Sequence, residues 1–200
     1  MPIRFFDMFS GIGGFRSGLE AIGGFECVGY CEIDKYARQA YEAMYDTGGE
    51  LYFDDARKII PEQLPDFNLL VGGFPCQPYS ICGARKGFDD TRGTLFFEIA
   101  RIAAAKKPKY LCLENVPGLL NHDSCRTFEV ILHTLDELGY DVAWQVLNSK
   151  NFGVPQSRNR VFIVGYLRGK CAGEVLSFTQ TSGKTLVQRK PYTRWASLLD

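Results

Sequence analysis

The chain has little histidine and no long apolar run, and each absence excludes a class of protein. Among 200 residues there are only two histidines, His122 and His133. A histidine-rich metal centre is therefore not expected, and cysteine–histidine catalysis has few candidates. No stretch of about 18 apolar residues occurs, and the sequence Met1-Pro2-Ile3-Arg4 leads directly into a strand-like segment. We expect neither a membrane span nor a signal peptide, and hence a cytoplasmic protein.

The chain also lacks paired cysteine motifs and net charge. Its seven cysteines are an odd number and include no C-x-x-C pair, which argues against a disulfide framework and a zinc ribbon. We expect reduced thiols, of which a reactive one has to be identified from its surroundings. The formal net charge is zero, which weakly disfavours strong binding of a nucleic-acid backbone by this chain alone. Local basic clusters do occur at Arg85-Lys86 and at Arg158 and Arg160.

What the sequence does contain is a regular alternation of strand-length apolar runs and helix-period segments, which predicts an α/β fold built from βαβ units. Predicted strands are Ile3–Phe9, Phe25–Cys31, Asn68–Val71, Tyr110–Leu113, Val142–Leu147 and Arg160–Gly165. Predicted helices are Gly14–Ala21, Asp34–Met44, Leu95–Ala105 and Cys125–Leu138, the last ending at Gly139. The length and composition favour one domain with one substantial core.

A glycine-rich turn, Phe9–Gly14, joins the first strand to the first helix, where small residues let a ligand approach the backbone closely. Glu32 follows about 20 residues later, the spacing at which a carboxylate binds ribose hydroxyls in NAD or S-adenosylmethionine sites. Arg16 stands where an NAD fingerprint has its third glycine, which argues against NAD. A purely steric turn remains open, as do a solvated strand-end role for Glu32 and a turn role for Asp55.

Three further segments contain reactive side chains. Cys76 lies in Gly72–Pro78, where flanking prolines would hold the thiol in a fixed position as a nucleophile requires. Glu114 ends a strand, and a carboxyl group beside a thiolate in an apolar pocket can serve as a proton donor. Arg158 and Arg160 alternate, so in extended chain they share one face suited to carbonyl, carboxylate or phosphate groups. Taken singly, these segments could be a rigid loop, a strand-end carboxylate and a surface charge cluster.

Together these segments resemble the cytosine-C5 DNA methyltransferase family, which depends on S-adenosylmethionine. The blocks that match, in family order, are Phe6-Asp7-Met8-Phe9-Ser10-Gly11-Ile12-Gly13-Gly14, Gly73-Phe74-Pro75-Cys76-Gln77-Pro78, Glu114-Asn115-Val116 and Gln156-Ser157-Arg158-Asn159-Arg160. The resemblance implies a Rossmann-like class I methyltransferase fold, with a mostly parallel central sheet and helices on both faces. It also implies a catalytic domain over residues 1–167 and the start of a linker over 168–200.

The resemblance assigns roles to individual residues. The cofactor pocket would be lined by Phe9, Gly11, Ile12, Gly13 and Gly14, with Glu32 on the ribose, Ile33, Asp55 and Ala56 around the adenine, and Gly73 and Leu95 at the methionine end. Cys76 would add to C6 of a cytosine flipped out of duplex DNA. Glu114 would contact N3 and the exocyclic amine, Arg160 the base carbonyl, and Arg158 would orient the glutamate and the thiol. Ser80–Gly93 resembles the loop that closes over the base. No metal is implied.

Family members continue into a target-recognition domain and a last block that packs beside the first strand, and this chain ends at Asp200 before either. We therefore expect a split enzyme or a shortened form, whose first strand has an exposed edge that a C-terminal complement would cover. A tRNA cytosine-C5 methyltransferase shares the same blocks and remains an alternative, as does a non-catalytic cofactor-binding subunit. A cysteine hydrolase is disfavoured because no histidine lies in any block.

Overall fold

The computed structural model describes residues 1–75 and 95–170. The chain divides into two compact units, Met1–Pro108 and the part that begins at Lys109. Cys76, Ser80–Gly93 and the chain beyond residue 170 lie outside the described residues. Within the described ranges, no helix is long and apolar enough to cross a membrane, and no cluster of three or more possible metal ligands occurs.

The first unit contains a parallel sheet. Its elements in chain order are β1 (Ile3–Met8), α1 (Gly14–Ile22), β2 (Phe25–Cys31), α2 (Lys35–Met44), β3 (Leu51–Phe53), β4 (Leu69–Gly73) and α3 (Leu95–Lys106), with 3-10 turns at Ala56–Lys58 and Pro61–Gln63. The strand order within this unit is β3-β2-β1-β4, and all neighbours are parallel. The carboxyl ends of these strands therefore meet at one edge, where ligands of such sheets bind.

Strand β1 is the centre of this sheet. Phe5, Phe6 and Met8 are fully buried, as expected of an interior parallel strand covered on both faces. β1 pairs with β2 from Ile3 to Met8 and with β4 from Phe5 to Met8. The expectation that the first strand has an exposed edge is therefore wrong, because both of its edges already bear a hydrogen-bonded partner.

The second unit contains an antiparallel sheet and a helix. Its described elements are β5 (Tyr110–Asn115), α4 (Arg126–Glu137), β6 (Tyr140–Asn148) and β7 (Asn159–Leu167), with 3-10 turns at Pro117–Asn121 and Ser149–Phe152. β7 pairs with β5 and with β6, both in antiparallel fashion. The buried stripe of α4, formed by Phe128, Ile131, Leu132 and Leu135, has the spacing of an amphipathic helix. Phe128 meets Trp144 of β6 edge to face.

The predicted helices and strands are all present, each with bounds within two residues of the expected ones. Gly139 follows α4 with a φ of 93°, the left-handed conformation that lets glycine end a helix. One strand was not predicted: β3 has three residues, too few to show a period. β3 nonetheless matters for the site, since the Phe53 carbonyl accepts the Glu32 backbone N–H at 3.1 Å.

Candidate active site

Glu32 is fixed by backbone donors immediately after β2. Its Oε2 accepts the Gly11 N–H at 2.7 Å, and its Oε1 accepts the Asp34 N–H at 2.7 Å. Tyr52 donates its hydroxyl to the Glu32 carbonyl at 3.2 Å. Each carboxylate oxygen has more than one acceptor position, so both oxygens keep capacity for a further donor such as a ribose hydroxyl. The structure thus joins Glu32 to the glycine turn.

The glycine turn exposes backbone at two positions and closes it at a third. A side chain added at Gly11 or Gly14 would meet nothing within 4 Å, so a ligand can approach the chain there. Gly11 and Phe9 both have a positive φ, of 55° and 54°. This left-handed conformation is strained for a residue with a side chain, such as Phe9. Gly13 differs, because its Cβ would lie 2.3 Å from the Tyr45 ring. Glycine at position 13 is therefore required by packing inside the unit.

The residues expected around an adenine are placed in different ways. Ile33 is 72% exposed and offers an apolar face. Asp55 accepts the Arg57 backbone N–H at 3.0 Å and its guanidinium at 2.7 Å, and the Arg57 guanidinium lowers the pKa of Asp55 to about 2. Ala56 is buried, and its carbonyl accepts from Arg101 of α3 at 3.0 Å. Arg101 therefore ties α3 to the segment that follows β3.

The residues expected at the methionine end lie at element boundaries. Gly73 is the last residue of β4, and Leu95 is the first residue of α3. Both are half-buried. Phe74, next to Gly73, is buried against Phe96 of α3 with ring centroids 5.6 Å apart. This contact holds the end of β4 against the beginning of α3, on either side of the segment that contains Cys76.

A buried polar cluster beneath the glycine turn was missed in the sequence. Asp7 is 1% exposed, and its Oδ2 accepts the Tyr41 hydroxyl at 3.4 Å. Burial raises the pKa of Asp7 to about 7, although Tyr41 and Arg16 oppose this. Arg16 is also buried, with Glu50 Oε2 at 2.8 Å and Glu20 Oε1 at 2.7 Å. The sequence offered one signal for this cluster, which was Arg16 at the position where an NAD fingerprint has its third glycine.

In the second unit the structure brings Glu114 and Arg160 together. Glu114 of β5 is opposite Phe162 of β7, so Arg160, two residues away, shares its face of the sheet. Arg160 Nε lies 2.5 Å from Glu114 Oε1, and the two side chains are 21% and 25% exposed. Glu114 therefore has a cationic partner in place of the apolar surroundings expected. Arg158 is exposed, and its orienting role stays a prediction.

Three of the four described cysteines are poor nucleophiles. Burial raises the pKa of Cys27, Cys31 and Cys112 to about 12 in each case, so these thiols are protonated at neutral pH. A thiol reacts as its thiolate. Cys125 is exposed but stands in none of the sequence blocks. Cys76 lies outside the described residues, and its assignment as nucleophile stays a prediction from the sequence.

Comparison with known proteins identifies the family. The sequence profile of the C-5 cytosine-specific DNA methylases matches residues 3–193. The chain belongs to this family. It is 54% identical over 162 residues to the Type II methyltransferase M.NgoBI of Neisseria gonorrhoeae. The aligned segment covers 80% of this chain and 49% of the relative. The Type II methyltransferase M.HaeII of Haemophilus aegyptius is 52% identical over 161 residues, covering 80% and 49%. The chain therefore spans about half the length of these two relatives.

Solved structures confirm the predicted Rossmann-like class I methyltransferase fold. A DNA modification methyltransferase encoded within an E. coli prophage superposes with a TM-score of 0.68 at 23% identity, over 83% of this chain and 47% of that one. DNMT2 of Spodoptera frugiperda superposes with a TM-score of 0.69 at 21% identity, over 84% and 51%. The solved structures thus confirm the α/β class, and the profile match confirms the family named from the sequence.

Proposed function

We propose that this chain is the catalytic and cofactor-binding part of a DNA (cytosine-5-)-methyltransferase that uses S-adenosylmethionine and duplex DNA. The observation that carries the proposal is the Glu32 carboxylate, tied to the Gly11 N–H at 2.7 Å in a member of the cytosine methylase family. That link supplies a ribose acceptor beside an open turn. Relatives identical at 46–54% are named Type II or orphan methyltransferases, which favours DNA over tRNA as the substrate.

The residues present fit S-adenosylmethionine. Glu32 has acceptor capacity for the ribose hydroxyls, and the missing side chains at Gly11 and Gly14 leave room against the turn. Ile33 offers an apolar face to the adenine, although an aliphatic side chain stacks less well than an aromatic one. Ile12, 58% exposed in the turn, adds to this apolar surface. When bound, the cofactor would supply an electrophilic methyl group on its sulfonium.

Cys76 is the proposed nucleophile. Its thiolate adds to C6 of the cytosine, and the electron pair of the C5–C6 double bond makes C5 nucleophilic toward a methyl group. C5 would take the methyl group that the cofactor supplies, and loss of the C5 proton to a base then restores the C5–C6 double bond and releases the Cys76 thiolate. In duplex DNA these atoms are hidden in the base stack, so the cytosine has to flip out at a cost of a few kcal/mol.

Glu114 and Arg160 are proposed to act on the base. Glu114, in its protonated form, would donate to N3 and accept from the exocyclic amine, which favours electron flow into the ring while Cys76 adds, and Arg160 would contact the base carbonyl. Their ion pair keeps the carboxylate in place before the base arrives. Arg158 is exposed and lies directly before β7. It is proposed to orient Glu114 and the thiol once the base is bound.

The proposed activity belongs to this chain together with a second part, which corresponds to the half of its relatives that this chain does not match. That part would be a C-terminal complement with the target-recognition domain, joined covalently or as a separate polypeptide. The test is a methylation assay with this chain plus the complement, on mixed-sequence duplex DNA and on tRNA, with the modified positions mapped. We expect 5-methylcytosine at a defined DNA sequence. Methylation of tRNA alone would replace this proposal with the tRNA methyltransferase.

The variants of this assay address the nucleophile. Cys76→Ala should abolish methyl transfer and leave the affinity for S-adenosylmethionine near that of the wild type. The matched control is Cys125→Ala, which removes the exposed described cysteine and should keep full activity. Wild-type turnover by Cys76→Ala would refute covalent catalysis by this residue. Cofactor binding without methylation of either substrate would favour the non-catalytic subunit.

A further inference from the structure

Tyr45, directly after α2, contacts the glycine turn. Its hydroxyl donates to the Gly13 carbonyl at 2.9 Å, and its ring fills the space that a side chain at Gly13 would need. The ring also packs against Tyr41, with centroids 4.9 Å apart. The turn is thus held from the side of α2, through a residue that no sequence block contains.

Arg16 secures the same segment from the side of α1. Its guanidinium lies 4.6 Å from the centre of the Tyr45 ring, and its Nη2 donates to the Asp46 carbonyl at 2.9 Å. The carboxylate of Glu50 binds the same guanidinium at 2.8 Å. The contacts therefore run in both directions. Tyr45 donates to Gly13, which precedes α1, and Arg16 of α1 donates to Asp46, which follows Tyr45.

The Tyr45 hydroxyl is not needed to satisfy the Gly13 carbonyl. That oxygen also accepts the Ser17 N–H at 2.8 Å, which is the first hydrogen bond of α1. Loss of the hydroxyl leaves a paired carbonyl, so the folding cost is small. What changes is the restraint on Gly13, two residues from Gly11, whose N–H binds Glu32.

We propose that Tyr45 is a positioning residue for S-adenosylmethionine. By holding the Gly13 carbonyl, it sets the orientation in which the turn presents Gly11 to Glu32 and its open backbone to the cofactor. The inference rests on the proposed function, because that function names the ligand of the turn. Tyr45 itself is placed behind the turn, since its ring lies in the direction of the Gly13 side-chain position.

The test compares Tyr45→Phe with Tyr30→Phe in the 200-residue chain. Tyr30 is a matched control: its ring stacks on Tyr41 at 4.4 Å, and its hydroxyl bonds Glu42 at 2.8 Å, which is not part of the turn. S-adenosylmethionine is titrated by calorimetry, and thermal unfolding is measured without ligand. A neutral hydrogen bond is worth about 1 kcal/mol, so Tyr45→Phe should weaken the affinity by about threefold to tenfold. Tyr30→Phe should keep the wild-type affinity, with a similar Tm in both variants.

Three outcomes overturn the proposal. Equal weakening by both variants would mean that the tyrosine stack acts only through general stability. Wild-type affinity in Tyr45→Phe, with weakened binding in Glu32→Gln, would remove the role of Tyr45 and leave the proposed function intact. Absence of binding by the wild-type chain at millimolar S-adenosylmethionine would overturn the cofactor assignment, and the role of Tyr45 with it.

Discussion

The glycine turn of the first unit and the Glu114–Arg160 pair of the second hold their carboxylates in different ways. Glu32 accepts two backbone N–H groups, whose directions are set by the fold. Glu114 is held by the end of a flexible arginine side chain, and both members of that pair are partly exposed. Backbone donors cannot rotate away, whereas an arginine can change its partner. The Glu32 carboxylate is therefore preorganised, and the Glu114 carboxylate can rearrange when a ligand arrives.

The largest effect is expected at the flexible side. Glu114→Gln should lower the turnover of the complemented enzyme by about 100-fold or more, the range of a positioned acid–base group. The affinity for S-adenosylmethionine should change by less than about threefold, since Glu114 is proposed to contact the base and not the cofactor. Single-turnover rates and calorimetry separate the two quantities. A weakened cofactor affinity with a normal rate would assign Glu114 to the cofactor side.

The next effect concerns the buried cluster that underlies the preorganised turn. Because burial raises the pKa of Asp7 from 3.8 to about 7, the folded chain binds a proton more tightly than the unfolded chain does. The free energy of unfolding should therefore fall as pH rises from about 4 to about 7, and then level off. At 1.36 kcal/mol per pKa unit, the upper bound is about 4 kcal/mol. Above pH 7, Asp7 remains a buried carboxylate at this cost.

Asp7→Asn removes this titration while keeping a hydrogen-bonding side chain of similar size. Urea unfolding at several pH values should show the variant gaining stability relative to the wild type between pH 4 and 7. Asp55→Asn is the control of opposite sign, because Arg57 lowers the pKa of Asp55 to about 2, so its contribution is lost only as pH falls below about 4. Parallel curves for Asp7→Asn and the wild type would contradict the assignment.

A smaller effect tests the backbone link directly. Glu32→Gln keeps the size of the side chain but leaves one acceptor oxygen, so it loses one of the two hydrogen bonds to backbone N–H groups and the charge of the other. Hydrogen bonds to charged groups are worth about 1.5–3 kcal/mol, so the affinity for S-adenosylmethionine should fall by about tenfold or more. The rate at saturating cofactor should stay within about threefold of the wild type. An unchanged affinity of Glu32→Gln for S-adenosylmethionine would mean that Glu32 does not hold the cofactor, and the difference proposed between Glu32 and Glu114 would be wrong.

The smallest effect distinguishes a binding glycine from an ordinary one. Gly14 and Gly18 both lie in α1, and a side chain at either would meet nothing within 4 Å. Alanine at position 18, inside the helix, should stabilise the ligand-free chain by about 0.5–1 kcal/mol through helix propensity, and alanine at position 14, the first helical residue, by less. Only Gly14→Ala should weaken S-adenosylmethionine binding, since it fills space at the turn. Equal affinities in Gly14→Ala and Gly18→Ala would mean that the cofactor does not approach the start of the helix.

Local pattern was sufficient for most of the fold. The apolar run Phe25–Cys31 predicted β2 with the bounds that the structure gives, and Gly139 marked the end of α4 because a left-handed residue there needs no side chain. β3 escaped detection because three residues have no period. The exposed edge expected for the first strand was wrong, because pairing partners are a property of topology that local pattern does not contain.

The candidate site was only partly predictable for the same reason. The spacing between the glycine turn and Glu32 follows from the length of one βαβ unit, and the structure confirms that the two are linked. The partners of Arg16 could not be foreseen, because Glu50 is 34 residues distant along the chain. Likewise, the Arg160–Glu114 pair depends on the register of β5 against β7.

The most direct measurement of the central claim is a covalent trap. Duplex DNA that contains 5-fluorocytosine at the methylated position is incubated with S-adenosylmethionine and the complemented chain, and the cross-linked peptide is sequenced by mass spectrometry. Fluorine at C5 cannot leave as a proton does, so the covalent intermediate accumulates. We expect one adduct, on Cys76, absent in Cys76→Ala and unchanged in Cys125→Ala. An adduct on another cysteine, or methylation of ordinary cytosine with no adduct in the fluorinated DNA, would contradict it.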